Sequence, residues 1–258
     1  MTDELKDIIA RSYQLFKKYK VKSPLDVCTD CCLTKSQESE LVSLPVNQIP
    51  FELLYEYNNA AKTTHPSIEE FKHFLPRFLE LTAELKFLHH SAELTLSRFE
   101  YYSIDEWTVE ELDLIQEYAE KLFLHILSVY PLPELEKIDS IIIMLYKAKV
   151  DIIKLLQSWS SIKTESSILH LSDLVCNGFK GMDNNILSSG FADKRISEVT
   201  HDWLNNDYQL ANLKPVFEEL LMNPRNLDEW KLNELNWTYE KLHKLDYKGG
   251  KTRPNTEP

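Results

Sequence analysis

The sequence predicts an all-α protein, an irregular multi-helix array or bundle with one long antiparallel helix hairpin over about 108–162. Three observations predict it. Apolar residues recur at spacings of three and four from end to end, and no period-2 stretch competes with them. Capping signals stand ahead of three of those apolar runs. Glycine is scarce: of 258 residues only five are glycine, and none precedes Gly178.

The elements follow in order. Leu5, Ile8, Ile9, Phe16 and Tyr19 trace one face of a first helix. Residues 21–33 read as a loop holding Pro24 and a cysteine cluster. Thr34 and Gln37 form a capping-box pattern for a short helix ending near Ser43, and Pro50 starts the next. Ser67 and Glu70 repeat the capping pattern ahead of Ile68, Phe71, Leu75, Phe78 and Leu85, with a kink or restart expected at Pro76. A further short helix is expected over Ser91–Glu100. Thr108 and Glu111 cap a helix whose apolar stripe runs through Leu112, Ile115, Ala119, Leu122, Ile126 and Val129. After the Pro131-Leu-Pro133 turn, Ile138, Ile141, Leu145, Ala148, Ile152, Leu155 and Trp159 alternate spacings of three and four, which predicts one long returning helix. Helices are expected near 165–180, 196–206, 209–222 and 227–245, with a joint at 181–195 around Gly181, Asn184, Asn185 and Gly190. The expected organisation is a main helical domain over 1–180, a C-terminal helical segment over 181–247 packed on it, and a mobile tail over 248–258.

Composition excludes more than it selects. The net charge of −12 argues against nucleic acid and anionic membrane as partners, because a phosphate binder needs a basic footprint. No apolar run reaches the roughly 18 residues of a membrane span. The acidic N-terminus lacks the layout of a secretory signal, so a cytoplasmic location is expected. A phosphate-cradling loop and a dinucleotide fingerprint both need glycine for close backbone approach, so neither is present before residue 178. No G-x-S-x-G elbow occurs anywhere.

Three constellations carry possible chemistry. Cys28 and Cys31, with Cys32 beside them, form a C-x-x-C that supplies two thiolates to zinc if histidines such as His65, His73, His89 or His90 complete the set. The plainer reading is a set of reduced thiols packed as small hydrophobes. E-x-x-H occurs three times, at Glu70/His73, Glu198/His201 and Glu240/His243, the spacing that di-metal helical enzymes use. The facing glutamates such a centre needs are not identifiable, and surface side-chain pairs explain the spacing equally.

The third constellation is acidic. Eight carboxylates and no Lys or Arg lie between Phe99 and Glu120. Glu106, Glu110, Asp113, Glu117 and Glu120 follow spacings of four, three, four and three. Like charges at such spacings destabilise a helix by roughly 0.2–0.5 kcal/mol per pair, so their retention points to a basic partner. Trp107 stands beside them as an aromatic of the kind interfaces use.

Val27-Cys-Thr-Asp-Cys-Cys32, Leu44-Pro45, His73-Phe-Leu-Pro-Arg77, Leu79-Glu-Leu81 and the run from His90 to Arg98 together resemble a group of uncharacterised bacterial proteins over about residues 20–100. The resemblance implies a bacterial origin and brings no activity. It implies that Cys28, Cys31, Cys32, His73, Arg77 and His90 act together. In its acidic, helical character the chain is also similar to the immunity proteins of bacterial toxin systems, which bind a toxin domain and block its active site. The expectation is therefore a non-enzymatic, cofactor-free protein-binding module. Its acidic face, Glu106, Trp107, Glu110, Asp113, Glu117 and Glu120, would meet a toxin with a basic surface. The alternative is a metal protein or di-metal enzyme built on Cys28/Cys31 or the E-x-x-H pairs.

Overall fold

A computed structural model of the chain describes residues 1–30, 32–63, 66–180, 185–206, 210–224 and 227–249, the last helix by its backbone alone from residue 243. Among the described residues there are eleven α-helices and no strand, only the isolated bridges Val27–Lys62 and Phe179–Leu187. The all-α prediction holds. The helices are α1 (Asp3–Phe16), α2 (Lys35–Ser43), α3 (Phe51–Asn59), α4 (Ile68–Ala83), α5 (Val109–Leu127) and α6 (Ile138–Lys147). They continue as α7 (Ile152–Trp159), α8 (Glu165–Asn177), α9 (Lys194–Leu204), α10 (Lys214–Met222) and α11 (Glu229–Gly249). Among the described residues no helix is long and apolar enough to cross a membrane. The expectations for Gly181–Asn184, and for the tail beyond Gly249, lie outside the described residues.

The chain forms two compact units, Met1–His125 with Ser140–Asp151, and Ile126–Asp139 with Ile152–Pro258. In the first, α1 packs on α4. Leu5, Ile8, Ile9 and Phe16 of α1 are buried, as its periodicity predicts. Phe71 of α4 sits in an aromatic cluster, edge-on to Phe78, Phe99 and Trp107 and stacked on Tyr102. Such pairs add about 0.5–1.5 kcal/mol each beyond the area they bury. α4 runs unbroken through Pro76, which corrects the expected restart. Removing a helical N–H costs about 3 kcal/mol, and the burial of Phe71, Phe74, Leu75, Phe78 and Leu79 around it offsets that.

The helix expected over Ser91–Glu100 is instead two 3₁₀ turns, Ala92–Leu94 and Ser97–Tyr101. Asn58 of α3 accounts for the difference. Its Nδ2 donates to the carbonyls of Leu88 (2.9 Å) and Thr95 (3.2 Å), drawing those acceptors onto α3.

The returning arm of the hairpin is also not one helix. Lys149 takes a positive φ of 62°. The Val150 N–H reaches the Leu145 carbonyl (3.3 Å) and the Lys149 N–H that of Tyr146 (2.9 Å), the paired bonds that close a helix through a left-handed residue. Gln116 of α5 then takes the Asp151 N–H at 2.9 Å. The seven seam residues from Ile138 to Trp159 are all buried.

In the second unit α7 packs on α9 through stacked indoles, Trp159 over Trp203 at 5.0 Å. Each ring N–H finds a hydroxyl, Ser167 for Trp159 (2.8 Å) and Ser160 for Trp203 (3.0 Å). α8 packs on α10 and α11. Lys231 of α11 bridges Asp173 of α8 and Glu234, both at 2.6 Å.

Candidate protein-binding face

The acidic run begins in a 3₁₀ turn, Ile104–Glu106, and continues along α5. Its carboxylates are not equivalent. Glu117 is held bidentately by Arg11 of α1, both bonds at 2.8 Å, and that guanidinium lowers its pKa. Lys121 reaches Glu4 of α1 at 2.9 Å. Glu120 accepts from Gln116 at 3.0 Å. The cations missing from the run itself are therefore supplied in part by another helix. Glu106 turns back to accept the Ser103 N–H at 2.6 Å while remaining exposed. Glu110 and Asp113 are exposed and take no partner among the described residues.

Those two acids line an open groove of about 1070 Å³ between α1 and α5. Glu110, Asp113 and Glu117 stand on one wall, Arg11 and Lys18 on the other, with Leu114 at its base and Val109 at its edge. Just before it, Tyr101, Ile104 and Val109 expose 56%, 51% and 75% of their surface. Exposed apolar side chains beside the exposed Glu106, Glu110 and Asp113 make 101–113 the stretch best suited to a protein partner.

Trp107 is corrected. It is 6% exposed, stacked on Phe99 at 4.8 Å, with the Lys72 ammonium 4.7 Å over its ring. It belongs to the core and offers no ring to a partner. Glu111, not singled out as a site residue, is fully buried. It accepts from Lys72 (2.7 Å), the Tyr19 hydroxyl (2.6 Å) and the Thr108 N–H (3.1 Å), and Lys18 approaches to 3.3 Å. Burial pushes its pKa up, and these donors outweigh burial and bring it down to about 2. The group ties the end of α1 to α4 and α5.

The remaining candidates do not converge. Cys28 pairs through its backbone, donating to the Ala61 carbonyl at 2.7 Å, and Cys32 is exposed. Cys31 and His65 lie outside the described residues. Among the described residues no group of three metal-ligating side chains is placed to hold an ion. Glu70 and His73 share a helix but not a site. Glu70 accepts the Tyr57 hydroxyl (2.8 Å) and the Asp26 N–H (2.8 Å), whereas the His73 Nδ1 meets the Tyr19 carbonyl at 3.0 Å. Glu198 pairs with Lys194 and His201 lies beside Asp202, both on the surface. The His243 side chain lies outside the described residues. Arg77 donates to Ile49 O (3.0 Å) and pairs with Glu80 (2.6 Å), while His90 packs on His89 at 4.1 Å.

Sequence reading missed a buried polar network. Arg98, 1% exposed, donates to the Tyr57 hydroxyl (2.9 Å), the Tyr57 carbonyl (2.7 Å) and Asn58 Oδ1 (3.2 Å). Tyr57 in turn donates to Glu70, so one hydroxyl links a buried cation to a buried carboxylate. The run that ends in Arg98 had drawn notice only as part of a resemblance, and nothing local marks its arginine as internal.

No protein-family model, no curated protein and no solved structure matches this chain.

Proposed function

We propose that this chain is a non-enzymatic helical protein-binding module whose 101–113 stretch and α5 groove receive a basic protein, in the manner of an immunity protein covering a toxin's active site. One observation carries the reading: exposed Tyr101, Ile104 and Val109 stand in one short stretch with exposed Glu106, Glu110 and Asp113, of which the last two have no partner among the described residues. Apolar anchors give such a surface its affinity, and unpaired acids give it speed and selectivity toward positive charge. A carboxylate row also mimics the phosphates a nucleic-acid-cleaving toxin would bind.

The test reverses charge where no internal bond is broken. Glu110→Lys with Asp113→Lys leaves the Arg11–Glu117 pair intact, so the loss of stability is limited to about 1 kcal/mol from the first turn of α5, where Glu110 favours the helix dipole. Immobilised wild-type chain is expected to retain a basic protein from a bacterial lysate at low salt. Its affinity for the double variant should fall by at least about tenfold, roughly 1.4 kcal/mol. Equal retention by both chains removes this face as the interface. A retained protein whose activity the chain does not suppress removes the inhibitor role.

A further inference from the structure

A second cavity of the first unit, about 450 Å³, opens between the C-terminal end of α1, residues 42–47 and the middle of α4. That is the size range of small-molecule pockets, roughly 300–1,000 Å³. Its walls are aromatic and aliphatic, with Phe16 and Tyr19 on one side, Val42, Leu44 and Val46 on another, and Pro76 on the third. Leu44-Pro45 and the His73–Arg77 stretch, far apart in sequence, both contribute to it.

The cavity's only charged side chains are Lys17 and Lys20, and its other polar groups, Tyr13, Tyr19, Ser43, Asn47 and His73, are neutral. Lys17, Lys20 and His73 line the cavity, and neither Asp nor Glu does, although the chain carries 41 acids against 29 Lys and Arg. Among the described residues Lys17 bonds Gln14 (3.1 Å) and has no carboxylate partner, and Lys20 has no ion-pair partner. Two carboxylates stand behind its lining tyrosines, each with its own cation: Glu80 takes the Tyr13 hydroxyl at 2.5 Å and pairs with Arg77 at 2.6 Å, and Glu111 takes the Tyr19 hydroxyl at 2.6 Å and pairs with Lys72 at 2.7 Å. A carbonyl oxygen only accepts, so the His73 Nδ1 facing Tyr19 O carries the hydrogen and Nε2 is left as an acceptor. Burial holds His73 below its ordinary pKa, so the ring is neutral near pH 7. The end of α1 contributes partial negative charge, which the two lysines must overcome before an anion is welcome.

We propose that this pocket binds a small aromatic or aliphatic carboxylate. The apolar body lies against Val42, Leu44 and Val46, and the charge is directed to Lys17 and Lys20. The inference is independent of the α5 face.

Titration of the isotope-labelled full chain with phenylacetate and hexanoate, followed by amide and methyl NMR, tests it. The expected result is saturable shifts at Val42, Val46 and His73 in the millimolar range or below, with phenylacetamide and hexanamide weaker by about tenfold. Lys17→Glu with Lys20→Glu, both exposed positions, should abolish binding while the rest of the spectrum stays unchanged. Leu44→Trp, which fills the cavity, should abolish it as well. Equal binding of acids and amides overturns the carboxylate assignment and leaves the lysines as partners of the α1 end only. Absence of shifts at the pocket overturns the site. Binding of a leucine-terminated peptide through its free carboxylate, with neither small acid binding, overturns the small-molecule assignment in favour of a protein terminus.

Discussion

At the scale of single residues, the carboxylates of 99–120 divide by where their cations come from. Glu111 has Lys72 and Lys18, Glu117 has Arg11, and Glu110 and Asp113 face water. Glu111 titrates in the fold at about 2 against an ordinary 4.5, a difference worth on the order of 3 kcal/mol. Because the folded value is the lower one, this stabilisation is complete above pH 4.5 and disappears as pH falls towards 2. Glu111→Ala strands the Lys72 ammonium in the core and should cost about 3–5 kcal/mol in urea unfolding at pH 7. The wild-type advantage over the variant should narrow between pH 4.5 and 2. The capping role of Glu111 was legible, because Thr108 and Glu111 stand three apart ahead of an apolar run, and the Thr108 hydroxyl does accept the Glu111 N–H at 3.2 Å. Its ion pair was not legible, since Lys72 is 39 residues distant and nothing local links the two. The same holds for Trp107: its exposure depended on Phe71 and Phe99, whose positions only the packed helices fix.

Among elements, helix starts were more readable than helix ends, although α2 does end at Ser43 as expected. Thr34 caps α2 with the full reciprocal box, and Pro50 precedes α3 as expected. The Ser67/Glu70 box is the exception. The Ser67 side chain makes no cap bond, and Glu70 is withdrawn to Tyr57 and the cysteine loop at Asp26. Starts are signalled by side chains that bond their own backbone a turn away. Ends are normally signalled by glycine in the left-handed region, and this chain ends helices with Leu85 and Lys149 at φ of 60° and 62°. A left-handed non-glycine residue costs about 1–2 kcal/mol. Lys149→Gly should therefore stabilise the protein by about 0.5–1 kcal/mol after the added entropy of the unfolded chain is subtracted. The check is a raised urea midpoint at unchanged slope. Lys149→Val, whose branched side chain suits φ > 0 least, should lower that midpoint, and the opposite ordering would contradict a left-handed turn at this position.

For the whole molecule, the two compact units do not follow one another along the chain. The segment Ser140–Asp151 belongs with residues 1–125, and Ile126–Asp139 belongs with residues from 152 onward. Ile141, Ile142, Ile143, Met144 and Leu145 are each at most 1% exposed. A fragment ending at His125 loses this apolar strip from its core, so it should show no cooperative thermal transition by near-ultraviolet circular dichroism. A fragment ending at Asp151 should show one. The fold class was legible because helical periodicity is a local property repeated throughout. The interleaving was not, because periodicity shows which face is apolar and not which neighbour covers it. The Lys72–Glu111 pair has a bearing on time as well as on energy. Tyr19, Lys72 and Glu111 arrive from three distant stretches, and each ion keeps its water until the last of them closes. A bond that waits for all three forms late, so Glu111→Gln is expected to raise the unfolding rate far more than it lowers the folding rate, as read from urea folding and unfolding kinetics.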